Sequence, residues 1–253
     1  MRTIIAANWK MYKTRQEALD FANDLTRRLN EHPIDANINP REVFLFVPFT
    51  AIYSASSGCA GGIIKVGAED VYPAKEGAFT GEISPEMIKD SGANWVLTGH
   101  SERRHIIGES SDFVAQKTEF ALESGLDVMI CIGETIDERE SGRLKEVLSE
   151  QISAISKIFK LEYAGRIAFA YEPVWAIGTG KVASNDDIVE THAIVRELML
   201  KYLGECSSDI PILYGGSVKP GNAKSILSLD NVNGVLVGGA SLKVDSFEQI
   251  IRA

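Results

Sequence analysis

The sequence has few cysteines, and their spacing suggests no pairing. Cys59, Cys131 and Cys206 are the three cysteines among 253 residues, and no C-x-x-C motif occurs. An odd and scattered set indicates neither a disulfide framework nor a zinc site. We therefore expect no bound metal, and a reducing compartment, the cytoplasm, as the location.

Long apolar runs are also missing. The N-terminal run Ile4-Ile5-Ala6-Ala7 is too short for the apolar region of a signal peptide. No other run approaches the roughly 18 apolar residues of a membrane span, and no N-x-Ser/Thr sequon occurs. We expect neither a secretion signal nor a membrane partner.

An excess of basic residues is absent as well. Lys and Arg number 26 against 35 Asp and Glu, which gives a net charge of -9. Proteins that bind nucleic acid usually present a basic face, so we expect no nucleic-acid partner. A small anionic substrate is compatible with this charge, because backbone N–H groups and one lysine can hold a phosphate.

Short, nearly continuous apolar runs recur along the chain. Such runs are typical of parallel strands that helices cover on both faces. Eight of them alternate with helix-like segments, without a linker-like stretch. This pattern favours an α/β fold in which residues 1–253 form one domain, a (β/α)8 barrel with parallel strands and an outer ring of helices. A doubly wound sheet with a second domain fits the pattern less well. The runs are TIIAA from Thr3, VFLFV from Val43, IIKVGA from Ile63, WVLT from Trp95, DVMICI from Asp127, IAFAY from Ile167, ILY from Ile212 and GVLV from Gly234.

Helix signals stand between the runs. Thr14-Arg15-Gln16-Glu17 is a capping-box pattern. Pro85 follows Ser84, and Pro220 follows Lys219, as prolines do at first helical positions. Apolar residues spaced three and four apart predict amphipathic helices over residues 137–161 and 185–203.

Polar residues and glycines follow the ends of several predicted strands, where barrels of this class carry their active sites. Taken singly, each has an ordinary explanation: a surface lysine, a core histidine, a carboxylate ending a strand or a plain glycine turn. The residues are Asn8 and Lys10 after the first run, His100, Ser101 and Glu102 after the fourth, Glu172 after the sixth, Gly215, Gly216 and Ser217 after the seventh, and Gly238 and Gly239 after the eighth.

Together these residues fit one reaction class. A carboxylate such as Glu172 can take a proton from a carbon next to a carbonyl group. A neutral imidazole such as His100 can donate a hydrogen bond to the carbonyl oxygen, and the Lys10 ammonium can stabilise an enediolate. The glycine turns leave N–H groups open to a phosphate, and Ser217 adds a hydroxyl. The set favours proton transfer in a phosphorylated carbonyl compound.

The glycines in the segment AYEPVWAIGTGK suggest a nucleotide site instead. GTGKVA, from Gly178, formally fits the G-x-G-x-x-G/A dinucleotide pattern. That pattern should open a helix directly after a strand, but six residues separate Tyr171 from Gly178. A P-loop also fails, because Trp175 replaces its first glycine and Val182 stands where Ser or Thr should follow Lys181.

Several stretches resemble the triosephosphate isomerase family: ANWKM from Ala7, GHSERR from Gly99, AYEPVWAIGTGK from Ala170, YGGSV from Tyr214 and GVLVGGASL from Gly234. GAFTGEIS from Gly77 and CIGE from Cys131 extend the resemblance over essentially the whole chain. It implies a TIM barrel without a metal or organic cofactor. The implied activity interconverts dihydroxyacetone phosphate and D-glyceraldehyde 3-phosphate through an enediolate, in glycolysis and gluconeogenesis.

The resemblance also implies residue roles. Glu172 is the base that moves a proton between two substrate carbons, and His100 is the neutral electrophile. Lys10 and Asn8 hold the substrate oxygen and the phosphate region. The segment after Glu172 forms a lid. The implied phosphate contacts are Gly178, Ser217, Gly238 and Gly239.

Four further residues are expected to support these groups. Glu102 orients Lys10 or His100, and Cys131 is a small buried packing residue. Tyr214 and Glu134 exchange hydrogen bonds with the Trp175 region as the lid moves.

The stretch that begins at Gly77 and ends at Ser84 resembles the family's protruding third loop. It implies a homodimer in which Thr80 lies beside first-strand residues of a second subunit. One departure precedes this loop, since Glu69-Asp70 stands where members commonly carry Gln-Asn. Burying two ionised carboxylates is costly. We therefore expect an interface that is stabilised by acid or compensated by the partner, unless Glu69 meets water or an arginine.

Two alternative functions stay open on the sequence. One is another phosphate-binding sugar-phosphate isomerase or epimerase, and the other is a barrel that binds a metabolite without catalysis. The glycine turns fit all three interpretations. The joint presence of Lys10, His100 and Glu172 favours the triosephosphate isomerase family over both alternatives.

Overall fold

Eight parallel strands close into a barrel in the computed structural model, which describes residues 3–35, 40–177 and 182–253. Each strand pairs with the next in sequence, and the eighth pairs with the first. The predicted TIM barrel is confirmed, and all eight apolar runs are strands. They are β1 (Thr3–Asn8), β2 (Arg41–Val47), β3 (Ile64–Ala68), β4 (Trp95–Thr98), β5 (Asp127–Ile132), β6 (Ile167–Tyr171), β7 (Ile212–Tyr214) and β8 (Gly234–Val237).

The apolar runs are continuous because both faces of the sheet are covered. Successive side chains of a strand point to opposite faces. Ile4 and Ala6 accordingly join the cluster that fills the barrel interior, whereas Ile5 and Ala7 join the larger cluster between the strands and the helices. Neither face meets water, so no polar alternation appears in the sequence.

Helices follow the strands and form the outer layer. In the described ranges they are α1 (Arg15–Glu31), α2 (Ile52–Gly58), α3 (Pro85–Asp90), α4 (Ser111–Glu123), α5 (Ile136–Glu140), α6 (Leu144–Ser156), α7 (Asn185–Leu203), α8 (Pro220–Leu227) and α9 (Val244–Ile251). None of these helices is both long and apolar enough to cross a membrane.

The predicted helix starts are confirmed. Thr14 caps α1 with the capping box that its pattern indicates: the Thr14 hydroxyl accepts the Glu17 N–H, and the Glu17 carboxylate accepts the Thr14 N–H at 2.7 Å. Ser84 caps α3, whose first residue is Pro85. Pro220 likewise stands in the first turn of α8.

The prediction of a single helix over residues 137–161 is wrong, whereas the helix over 185–203 is confirmed. The first segment contains α5 and α6, and α6 ends at Ser156. Gly142 adopts a φ of +73° between the two helices. This left-handed conformation interrupts the helical path and is readily adopted by glycine alone. The break sets α5 apart as a short helix near the rim.

His192 is a buried titratable group on the inner side of α7. Its ring lies between Tyr171 and Tyr214, with centroid distances of 5.8 and 6.4 Å. Nδ1 lies 3.1 Å from the Asn231 carbonyl oxygen, which can only accept, so Nδ1 carries the proton. Burial lowers the pKa of His192 from 6.5 to about 4, although the hydrogen bond to Asn231 opposes this.

Acid should therefore destabilise the fold through His192. Between pH 6.5 and about 4 the unfolded chain binds a proton at this residue and the folded chain does not, so stability falls as pH falls. The full shift corresponds to about 3 kcal/mol. Urea unfolding at several pH values should show a shallower acid slope for His192→Phe than for the wild type. His32→Gln, which changes an exposed histidine, should keep the wild-type slope; equal slopes for all three proteins would contradict the assignment.

Candidate active site

A pocket of about 400 Å³ opens at the C-terminal ends of the strands. Parallel strands carry these ends to one rim, where residues distant in sequence meet. Gly178, which is predicted to join them, lies outside the described residues. Cys131 and Tyr214 are buried within β5 and β7 rather than in the pocket lining. The predicted site residues that do line the pocket are Asn8, Lys10, His100, Glu102, Glu172, Ser217, Gly238 and Gly239.

Glu172 and His100 form a buried hydrogen-bonded pair in this pocket. Glu172 Oε1 lies 3.0 Å from His100 Nε2. The other carboxylate oxygen, Oε2, accepts the backbone N–H of Ser101 at 3.0 Å. Gly133 permits the close approach of the neighbouring chain, because a Cβ there would lie 1.8 Å from the Glu172 carbonyl oxygen. The Glu172 carboxylate is thus held by two donors from the loop after β4.

The contacts of His100 determine which ring nitrogen carries the proton. The backbone N–H of Glu102 donates to Nδ1 at 3.3 Å. Nδ1 is therefore an acceptor, and the single ring proton of a neutral imidazole lies on Nε2. Nε2–H donates to Glu172 and is the ring donor that can face an oxygen in the pocket.

Glu172 is ionised despite its burial. Burial alone would raise its pKa, but His100, the Ser101 N–H and the positive charge of Lys10 outweigh that effect. The pKa of Glu172 therefore lies below its ordinary value of 4.5. At neutral pH the carboxylate is free of a proton and can accept one.

Lys10 reaches the pocket from the loop after β1. Its φ of +57° lies in the left-handed region, and its backbone N–H donates to Asn8 Oδ1 at 3.0 Å. The Lys10 Nζ lies 2.6 Å from Glu102 Oε1. Glu102 therefore contacts both residues that the sequence predicts it to orient, Lys10 through its carboxylate and His100 through its N–H.

The ends of β7 and β8 supply the glycine-rich side of the pocket. Gly239–Leu242 form a short 3-10 helix directly after Gly238. The Ser241 hydroxyl donates to the Gly238 carbonyl at 2.7 Å and closes this turn. Gly238 lies near Lys10, since a Cβ on Gly238 would be 3.6 Å from Lys10 Cε. The turn and the ammonium therefore border the same space.

Glu134 organises the start of the segment that follows Glu172. Its Oε1 accepts the Tyr171 hydroxyl at 3.1 Å and Trp175 Nε1 at 2.9 Å. Arg139 adds a contact to the same oxygen at 3.2 Å and pairs with Asp187 on α7 at 2.5 Å. This group ties β6, α5 and α7 together at the rim.

Sequence reasoning missed Arg139, and it included Ser101 without the role of its backbone N–H. Arg139 comes with α5, whose start was marked by the T-x-x-E pattern of Thr135 and Glu138, a capping box in the structure. The Ser101 contribution is a backbone N–H, which residue type does not reveal. Cys131 is buried in the barrel interior, as predicted. Burial and the nearby Glu172 raise the pKa of the Cys131 thiol, so it is not a nucleophile.

Asp70 does not behave as expected for an unpaired carboxylate at a subunit contact. Lys117 Nζ lies 2.7 Å from Asp70 Oδ1, and Arg103 Nη2 lies 2.9 Å from Oδ2. Both cations also contact Glu109. Two carboxylates and two cations thus balance each other within one chain, and Asp70 needs neither acid nor a partner to compensate its charge.

Glu69 has a different environment. Its Oε1 is buried and finds no hydrogen-bond partner among the described residues. Burial raises the pKa of Glu69 to about 9, with Glu102 adding to the effect and Lys10 opposing it. A pKa in this range favours the neutral carboxylic acid form of Glu69 at pH 7.

Comparison with known proteins identifies relatives of this chain. A family model described as triosephosphate isomerase matches residues 3–253. A triosephosphate isomerase of Oleidesulfovibrio alaskensis is 54% identical over 257 residues, and one of Nitratidesulfovibrio vulgaris (strain Miyazaki F) is 53% identical over 255 residues; both alignments cover 100% of each chain. A triosephosphate isomerase of Lawsonia intracellularis is 50% identical over 254 residues, which cover 100% of this chain and 98% of the relative.

Glu69 should make the fold less stable as pH rises. Between pH 4.5 and about 9 the folded chain keeps a proton that the unfolded chain releases, so stability falls with increasing pH. Glu69→Gln should remove this slope. We expect it to melt at a higher temperature than the wild type at pH 8, with an excess stability of up to about 4 kcal/mol that shrinks towards pH 5.

The control for this comparison is Glu190→Gln, which neutralises an exposed carboxylate on α7. Calorimetry at one protein concentration should give it the wild-type pH dependence. If Glu69→Gln and Glu190→Gln behave alike, Glu69 is ionised in the folded chain.

Proposed function

This chain belongs to the triosephosphate isomerase family and is an isomerase, and we propose that it interconverts dihydroxyacetone phosphate and D-glyceraldehyde 3-phosphate by proton transfer. The observation that carries the proposal is the meeting of Glu172, His100 and Lys10 in one pocket. A buried ionised carboxylate, a neutral imidazole and an ammonium are the groups that the reaction needs. Family membership removes support from the epimerase and non-catalytic alternatives.

The proposed proton transfer begins with Glu172. Its carboxylate takes a proton from the substrate carbon next to the carbonyl group. His100 Nε2–H donates to the carbonyl oxygen, and the Lys10 ammonium stabilises the negative charge that develops there. The proton of the neighbouring hydroxyl group moves to the former carbonyl oxygen, a transfer that His100 can mediate through Nε2, and protonated Glu172 then returns its proton to the adjacent carbon. The cycle consumes no cofactor, because each proton is returned.

Substrate binding must first redistribute one hydrogen bond. In the structure, Nε2–H of His100 donates to Glu172 Oε1. The same proton is the one that polarises the carbonyl oxygen in the proposed step. The carboxylate therefore has to release His100 before it acts as a base.

The phosphate group of the substrate is proposed to bind at the ends of β7 and β8. Ser217, Gly238 and Gly239 line the pocket there, and Gly178 is expected to add a backbone N–H. Backbone N–H groups can bind one phosphate locally in a chain whose net charge is -9. Asn8 supports Lys10, because its Oδ1 accepts the backbone N–H of Lys10.

We also propose that residues 1–253 act as one catalytic domain of a cytoplasmic enzyme of glycolysis and gluconeogenesis. The three cysteines form no disulfide, in keeping with a reducing compartment. The strand order supports one unit, because β1 and β8 close the same barrel.

A homodimer is proposed to complete the site. Met11 is 95% exposed and Ile106 is 77% exposed near the rim, which is unusual for large apolar side chains. A second pocket of about 230 Å³, lined by Met11, Glu69 and Glu102 among others, adjoins Lys10. Thr80 lies on an exposed loop that would fill this pocket in a second chain.

Thr80→Arg should therefore break the dimer. An arginine is too bulky for a pocket that a threonine fills, so sedimentation should show about half the wild-type mass at micromolar concentration. Leu161→Arg is the control, since Leu161 is 73% exposed just before β6, at the other end of the barrel. A wild-type mass for Thr80→Arg would place the interface elsewhere.

The catalytic assignment is tested by Lys10→Met and Glu172→Asp. The first removes charge stabilisation and the second withdraws the base, so each should lower kcat/KM by about 10²-fold to 10³-fold. The measurement is a coupled assay with D-glyceraldehyde 3-phosphate. Lys145→Met, which removes an exposed lysine, should retain full activity. A near wild-type kcat/KM for Lys10→Met would refute its role.

A further inference from the structure

Lys13 joins the loop after β1 to the loop after β8. Its Nζ donates to the Leu242 carbonyl at 2.9 Å. The same ammonium lies over the rings of Trp9 and Phe21, 5.1 and 4.7 Å from their centroids. Burial lowers the pKa of Lys13, although the nearby Glu17 opposes this. Cation–π contacts and a carbonyl acceptor thus fix the ammonium in one place.

The backbone of Lys13 is held in an unfavourable conformation. Its φ of +72° lies in the left-handed region, which costs a side-chain-bearing residue roughly 1 to 2 kcal/mol. The contacts of the ammonium offset this cost. They also explain why the side chain points back towards Leu242 instead of into solvent.

The acceptor of Lys13 belongs to the turn that borders the active-site pocket. Leu242 is the last residue of the 3-10 helix Gly239–Leu242. The other end of this turn carries Gly238 and Gly239, and Ser241 closes it internally. An anchor on Leu242 therefore fixes the position of both glycines relative to the loop after β1.

We propose that Lys13 is a positioning residue for the phosphate end of the substrate. It sets the turn that carries Gly238 and Gly239 at the correct distance from Lys10. The inference rests on the proposed function, in which these glycines hold the phosphate. Lys10 itself is fixed by other partners, Asn8 and Glu102, so loss of Lys13 shifts the turn and leaves the ammonium of Lys10 in place.

The test compares Lys13→Met and Lys13→Arg with the wild type. Lys13→Met keeps an unbranched stem but loses the donor. We expect KM for D-glyceraldehyde 3-phosphate and the inhibition constant of inorganic phosphate to rise about 10-fold, the effect of one lost charge-assisted hydrogen bond. The kcat value should change less than about 3-fold. Lys13→Arg should recover most of the affinity, because a guanidinium can both donate to the carbonyl and lie over the rings.

A substrate without phosphate separates positioning from general damage. For D-glyceraldehyde, kcat/KM of Lys13→Met should stay within about 2-fold of the wild type, because only the phosphate contacts are displaced. An equal loss with both substrates would overturn the proposal, as would an unchanged KM and phosphate inhibition constant. Arg15→Met removes one exposed positive charge nearby and should leave phosphate inhibition unchanged, which controls for long-range attraction.

Lys13→Gly is a second variant that keeps the test valid if Lys13→Met does not fold. Glycine adopts the left-handed conformation without strain, so this variant should fold well and still show the phosphate defect. Normal phosphate affinity in a folded Lys13→Gly would overturn the proposal. If the wild type does not isomerise the substrate, the proposed function fails separately, and calorimetric titration of wild type and Lys13→Gly with inorganic phosphate still decides the role of Lys13.

Discussion

Closure of the sheet between β1 and β8 is the constraint on which the rest of the structure depends. The two strands pair from Ile4 opposite Gly234 to Ala7 opposite Val237. Gly234 allows this seam, because a Cβ there would lie 2.1 Å from the Ile4 carbonyl oxygen. Once the seam is closed, every strand end faces one rim, and the loops after β1 and β8 become neighbours. Lys13 then fastens those two loops together.

Three buried carboxyl groups near this rim differ in how their surroundings affect their charge. Glu172 is kept ionised by His100, a backbone N–H and a nearby ammonium. Burial raises the pKa of Asp70, and the two cations of its cluster oppose this effect. Glu69 instead retains its proton, since burial outweighs the attraction of Lys10. Neighbouring groups, rather than residue type, decide which carboxyl group can act as a base.

Much of the fold follows from local sequence. Continuous apolar runs predicted the strands, and the pattern at Thr14 predicted the start of α1, because both depend on neighbouring residues. The long helix over residues 137–161 was predicted wrongly for the same local reason: its apolar spacing continues across Gly142, whose left-handed φ divides it. The spacing of apolar residues indicates which face of a helix they occupy, but it does not show where the helix ends.

The sequence by itself determined the strand count, the helix starts and the set of rim residues, because order along a parallel barrel assigns each strand end to the same rim. Tertiary structure alone decided how those residues meet. The Ser101 N–H reaches Glu172 across 71 positions, and Lys117 reaches Asp70 across 47. Such contacts, and the protonation of Glu69, arise from burial and distance, which residue order does not encode locally.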